Sequence, residues 1–213
     1  MLCRLRWALC HLLLSAAMLP AVTAAADPLV VRIEEDWEMI VANPAPRAPA
    51  PQITTTMSLY GQLAHPRFDF TLNPGGRPAK SSGGLQVRVT QSSAGRPLVR
   101  RARTGKPLRQ AGETVTWTQV LAVGRGKVTY AIKNGRSQTW GDFGSEDKLS
   151  VTIPAPVANL NQYDADLSLL SSGLSGVVLG PPRVHRLSLV EVRAYTPEGL
   201  LSRDDSPVVV YER

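Results

Sequence analysis

Beyond residue 26 no long stretch of the sequence has an apolar repeat at helical spacing. The chain is instead a succession of short runs rich in Val, Ile, Thr, Leu and aromatic residues, broken by Gly, Pro, Asn and Ser. Side chains alternate between two faces along a strand, so such a run can bury one side and wet the other. "GLQVRVTQ" sets Leu85, Val87 and Val89 against Gln86, Arg88 and Thr90, and "ETVTWTQVLAV" sets Val115, Trp117 and Gln119 against Thr114, Thr116 and Thr118. "PLVVRIEEDWEMIVAN", "ITTTMSLYG", "RFDFTLNPGG", "KVTYAIKNGRSQTW", "KLSVTIP", "YDADLSLLSSG", "VHRLSLVEVRAYT" and "SPVVVYER" read the same way, for about eleven strands in all. Asn134-Gly135, between two strand-like runs, predicts a type I′ hairpin turn, because both residues tolerate positive φ. The glycines in "SLLSSGLSGVVLG" favour strand–loop–strand over a short helix. Many short strands at turn-punctuated spacing predict an all-β fold, a sandwich or barrel in a single domain.

The first 26 residues stand apart. Arg4 and Arg6 form a basic start, an apolar run follows from about Trp7 to Val22, and Ala24 and Ala26 make an A-x-A site before Asp27. This pattern predicts a cleaved signal peptide at residues 1–26 and export to the periplasm, the cell surface or the medium. Cleavage leaves 187 of the 213 residues, enough for one sizeable core at 27–213. Both cysteines, Cys3 and Cys10, lie in the signal, so the exported chain has no disulfide or thiolate chemistry and depends on its core. No later stretch is long and apolar enough to span a bilayer as a helix. A proline-rich connection at 43–52 carries Pro44, Pro46, Pro49 and Pro51, which cannot donate within a sheet interior.

The acidic stretch "RIEEDWEMIV" is the first candidate site. Alternation sends Glu34, Asp36 and Glu38 to one face, and Ile33, Glu35, Trp37, Met39 and Val41 to the other. The three carboxylates read as the wet face of a strand, as a catalytic set or as oxygen ligands for calcium. No Asp-x-Asp-x-Asp-Gly loop supports a calcium site, and His65 and His185 have no metal spacing, so neither metal nor cofactor is expected. There is no G-x-S-x-G elbow, H-E-x-x-H helix or P-loop.

Two further segments are candidate binding sites. "NGRSQTWGDFGSEDK", with Tyr163 from "NQYDAD" further along, places Arg136, Gln138, Trp140, Asp142 and Tyr163 as planar polar groups and aromatics for a shallow ligand site. The alternative is that Trp140 and Phe143 plug the core. "GRPLVRRARTGKPLRQ" carries Arg100, Arg101 and Arg103 among six basic residues with no acid. It reads as a polyanion site or as an edge strand kept from aggregating by its charge. Outside the cell an anionic polymer is a better partner than nucleic acid.

The strand rhythm resembles the concanavalin-A-like jelly roll of lectins, laminin-G-type modules and many glycanases. "VTYAIKNGRSQTWGDFG" is similar to their ligand-bearing hairpins, and "VHRLSLVEVRAYTPEG" to their final long strand. "EEDWE" followed by prolines is also similar to secreted bacterial proteins of no assigned activity. The resemblance implies a two-sheet sandwich of jelly-roll type and glycan as the ligand class. One glycanase family of this group uses Glu-x-Asp-x-Glu, which implies Glu34 as nucleophile, Glu38 as acid and Asp36 as the residue that tunes both. Three functions follow as expectations: a non-catalytic ligand-binding or interaction module, a glycoside hydrolase or lyase, and a structural envelope protein.

Overall fold

A computed structural model describes residues 27–213 apart from 43–51, 75–82, 93–94, 103–104, 107, 109, 176 and 180–183. The signal segment, all but the last residue of the proline-rich connection, and Arg103 therefore lie outside the described residues. In chain order the elements are β1 (Arg32–Val41), β2 (Gln52–Tyr60), β3 (Gln62–Leu72), β4 (Leu85–Thr90), β5 (Leu98–Ala102), β6 (Thr114–Gly124), β7 (Lys127–Arg136), β8 (Ser150–Pro154), α1 (Ala165–Ser175), β9 (Val177–Leu179), β10 (Val184–Thr196), β11 (Gly199–Asp204) and β12 (Val208–Glu212). They form an all-β sandwich of two antiparallel sheets. One runs β11–β10–β1–β6–β7–β8, with β12 also pairing β10; the other runs β5–β4–β3–β2–β9.

The alternation read in the sequence is what closes the sandwich. Along β1, Ile33, Glu35, Trp37, Met39 and Val41 are buried and the residues between them are half-buried. Trp37 stacks on Trp117 of β6 with ring centroids 6.4 Å apart and planes 6° from parallel. Phe70 of β3 leans on Trp117 from the facing sheet at 5.6 Å, and Phe68 on Tyr130 of β7 at 5.4 Å. Each such ring contributes roughly 1.5–3 kcal/mol by leaving water. Helix α1 packs on β2 and touches β12, covering one side between the sheets; a 3-10 turn at Asp147–Leu149 packs on β5 and β4 at the other.

Two local expectations are corrected. The β6–β7 turn is Arg125-Gly126, with φ of 52° and 69° between the paired Gly124 and Lys127. Asn134-Gly135 instead lies within β7. There two residues oppose Trp117 alone, between the pairs Thr118↔Lys133 and Thr116↔Arg136, so the pair forms a β-bulge with Asn134 at φ 52°. The reason is tertiary: Gly135 exchanges both backbone hydrogen bonds with Phe143, whose ring lies where a Cβ on Gly135 would be, 2.1 Å away. Second, "ADLSLLSSGLS" is helix rather than strand. Asp164 caps it, its Oδ1 accepting the Asp166 N–H at 3.0 Å. The helix buries Ser168, Ser171 and Ser172 and leaves Leu170 52% exposed, so its sequence has no apolar stripe to announce it.

Placing Ala at Gly135 should therefore lower stability by about 2–3 kcal/mol, because the Phe143 ring must move. Ala at Gly126, where φ is positive but the space is open, should lower it by only about 1 kcal/mol. Thermal or urea unfolding of both variants measures this, and combining Gly135→Ala with Phe143→Ala should cost less than the two changes separately.

Candidate functional site

Strand β1 lies between β10 and β6, and its three alternate acids project from the outer face of the seven-stranded sheet. Each is already engaged. Glu34 meets Arg32 at 3.3 Å and Arg193 at 3.1 Å and accepts the Tyr195 hydroxyl at 3.0 Å. Asp36 meets Arg193 at 2.8 Å and accepts the Thr118 hydroxyl at 2.6 Å. Glu38 meets Arg186 at 2.8 Å, and Glu191 takes Arg193 and Arg203. Four arginines thus meet four carboxylates across β1, β10 and β11. Burial alone would favour deprotonation of Arg193, but Asp36 and Glu191 outweigh it and hold the guanidinium charged. Trp37, Trp117 and Trp140 are all at most 4% exposed, so none of them forms a stacking platform beside the acids.

Next to this ladder is a shallow recess of about 300 Å³, lined by Asp36, Glu38, Thr116, Thr118, Asn134 and Arg136 together with Trp37, Trp117 and Val190. Two bulges flank it. In β10, Val190 is the extra residue between the pairs Asp36↔Glu191 and Trp37↔Leu189; in β7 it is the Asn134-Gly135 bulge. A bulge re-aims side chains that a regular ladder would hold upright. Here it brings the Asn134 amide to the Thr118 hydroxyl at 3.2 Å, and Thr118 in turn donates to Asp36. These three lining residues form a polar chain across three strands.

The other face of β1 carries Glu35, which is fully buried. Its Oε2 accepts the Trp37 indole N–H at 3.0 Å and the Gln119 amide at 3.2 Å, and its Oε1 accepts the Tyr163 hydroxyl. Tyr130 donates to the Gln119 oxygen, and Tyr163 also touches Ser168 of α1. Desolvation pushes the Glu35 pKa up from 4.5 to about 7 despite these donors, and burial raises both phenols well above their ordinary value, with Asp69 and then Glu35 adding to it at Tyr130 and Glu35 at Tyr163. Protonation can be accommodated: the Tyr163 hydroxyl can accept from Glu35 and donate to Ser168. The sequence places Glu35 on the inward face but offers no sign of its partners.

The five candidate ligand residues are not brought together. Arg136 borders the recess and Gln138 is exposed on the following loop. Trp140 is buried, its indole N–H on the Lys106 carbonyl at 2.7 Å. Asp142 lines a separate recess of about 130 Å³ beside Ala102 and Lys148. Tyr163 directs its hydroxyl to Glu35, on the opposite face of β1 from the recess. Glu113, absent from the sequence reading, organises the loop by accepting the Ser137 hydroxyl and both the amide and hydroxyl of Thr139. Arg100 and Arg101 lie on edge strand β5 but on opposite faces, opposite Val87 and Gln86 respectively. His65 and His185 donate Nδ1 to the Thr90 and Arg213 carbonyls. No protein-family model matches the chain, and no curated protein matches its sequence. Among the described residues no cluster of His, Cys, Asp or Glu could hold a metal ion, and no helix is long and apolar enough to cross a membrane.

Glu35 should give stability a specific pH dependence. The folded state holds its proton up to about pH 7 and the unfolded state only to about 4.5, so its contribution is complete below 4.5 and lost as pH rises to 7. The loss amounts to roughly 3 kcal/mol at most. Glu35→Gln mimics the protonated form, so relative to the parent it should gain stability steadily from pH 4.5 to 7 and level off above. Urea unfolding at four pH values reads this; a parent–variant difference that stays constant with pH would contradict it.

Proposed function

We propose that this chain is an exported, non-catalytic sandwich of jelly-roll type that binds a glycan in the outer-face recess beside β1. The polar chain Asn134–Thr118–Asp36 carries the reading, because it fixes donors and acceptors before any ligand arrives. Glu38, Thr116 and Arg136 add further polar groups to its lining. A sugar presents several hydroxyls, each both donor and acceptor, and mixed carboxylate, hydroxyl, amide and guanidinium groups suit them. A recess of about 300 Å³ on the sheet's outer face fits a weak, surface-exposed site rather than an enclosed pocket. The hydrolase reading is weaker on the same geometry: its three acids are spent in ion pairs and have no aromatic platform beside them. Export and the jelly-roll type rest on the signal pattern and the strand rhythm.

A glycan array with the residue 27–213 protein, followed by calorimetry, tests the proposal. Arg136→Ala and Asn134→Gly should each weaken the hit about tenfold, roughly 1.4 kcal/mol, and Gly keeps the positive φ that the bulge needs. A folded protein with a blank array would favour the structural envelope role. Polysaccharide cleavage abolished by Glu38→Gln would restore the hydrolase.

A further inference from the structure

We infer that helix α1 and the turn leading into it form a strap that undocks from the sandwich as a unit and is held shut by a proton on Glu35. The hydrogen bonds ahead of the helix set where such a strap pivots. Leu160 gives its N–H to the Val30 carbonyl at 2.7 Å. Asn161 accepts the Val30 N–H at 2.9 Å and donates to the Pro28 carbonyl at 3.1 Å. Residues 160 and 161 are therefore pinned to the segment that precedes β1. A turn follows, in which the Tyr163 N–H returns to the Leu160 carbonyl at 2.9 Å, and Asp164 then caps the helix. Beyond α1, β9 pairs with β2 at Gln52 and Ile53. Helix α1 itself belongs to neither sheet and packs on β2.

The latch is the hydrogen bonding around Glu35. Trp37 and Gln119 donate to it from β1 and β6, and they cannot withdraw without breaking the seven-stranded sheet. Tyr163 donates from the strap, so it can leave with no strand pairing lost. Ser168, in the first turn of α1, meets the Tyr163 hydroxyl at 3.1 Å and favours the Glu35 charge by hydrogen bonding. The groups that bond to Glu35 are all neutral. Tyr130 of β7 lies one step further, through Gln119, and Asp69 of β3 acts on Tyr130; no described lysine, arginine or histidine is among them. A protonated Glu35 is compatible with this surrounding. An ionised one has no positive charge to offset its lost hydration, and its donors do not make up the difference. Undocking of the strap admits water to the carboxyl and so favours the ionised form. The closed state carries a second cost. The Ser172 hydroxyl of α1 and the Thr55 hydroxyl of β2, the strand on which α1 packs, are buried with no hydrogen-bond partner among the described residues. A hydroxyl buried in that way has given up its water for nothing, and opening returns it.

Amide hydrogen exchange of the residue 27–213 protein at pH 5, 6 and 7, corrected for intrinsic rates, is the test, with the amides of α1 compared with those of β6. The α1 amides should be at least about tenfold less protected than those of β6 at each pH, because the strap opens while the sheet stays closed. Their protection should fall about 40-fold from pH 5 to 7, the change expected when a carboxyl of pKa about 7 passes into water, where its pKa is 4.5. Glu35→Gln, which carries no charge at any pH, should make the α1 protection independent of pH. Equal protection of α1 and β6 would mean that the strap does not open by itself, and would overturn the inference. So would α1 protection that stays constant with pH in the parent, or that keeps its pH dependence in Glu35→Gln. If Glu35→Gln does not fold, the two sets of amides in the parent still decide between these outcomes.

Discussion

The structure turns on β1 presenting two incompatible chemistries on its two faces, one residue apart. Glu35 enters the buried interior and Asp36, next in the chain, enters an ion network. A slip of one residue would exchange them and drive Glu34, Asp36 and Glu38 into the core. The cost of such an error is what fixes the register, more than the energy of any surface ion pair, since exposed pairs contribute on the order of 0–1 kcal/mol each. Arg186 and Arg193 on β10 and the Trp37–Trp117 stack on the inner side specify the same alignment from opposite faces.

The interior side shows why a carboxyl survives there. Three donors converge on Glu35, and the Gln119 amide is used at both ends, giving its N–H to Glu35 and taking the Tyr130 hydroxyl. A network so completed fixes the orientation of each member, whereas losing one partner leaves the others buried and unpaired. It also reaches α1 through Tyr163 and Ser168. That adds to what holds α1, which turns Ser168, Ser171 and Ser172 inward beside Leu169 on the core and is capped by Asp164.

Much of the sheet was legible in the sequence, because period-two alternation is a local property. The inward sets of β1, β4 and β6 follow from counting alone, as does the anchoring role of Trp37. What escaped is non-local or unpatterned. Glu35 meets Gln119 at a separation of 84 residues and Tyr163 at 128, and no spacing rule links them. Asn134-Gly135 has the composition of a hairpin turn, yet Phe143 claims Gly135 and the turn moves to Arg125-Gly126. A helix that buries serine lacks the signature by which helices are recognised.

The same distinction explains where the recess came from. A regular antiparallel sheet holds neighbouring side chains about 5 Å apart in upright rows, and such a surface has little relief. Relief needs an interruption, either a loop folded over the sheet or an extra residue in a strand. Here two extra residues, one in β10 and one in β7, fall on either side of β1 and β6, and the depression forms between them. The alternation that made the fold readable is therefore interrupted where the recess forms.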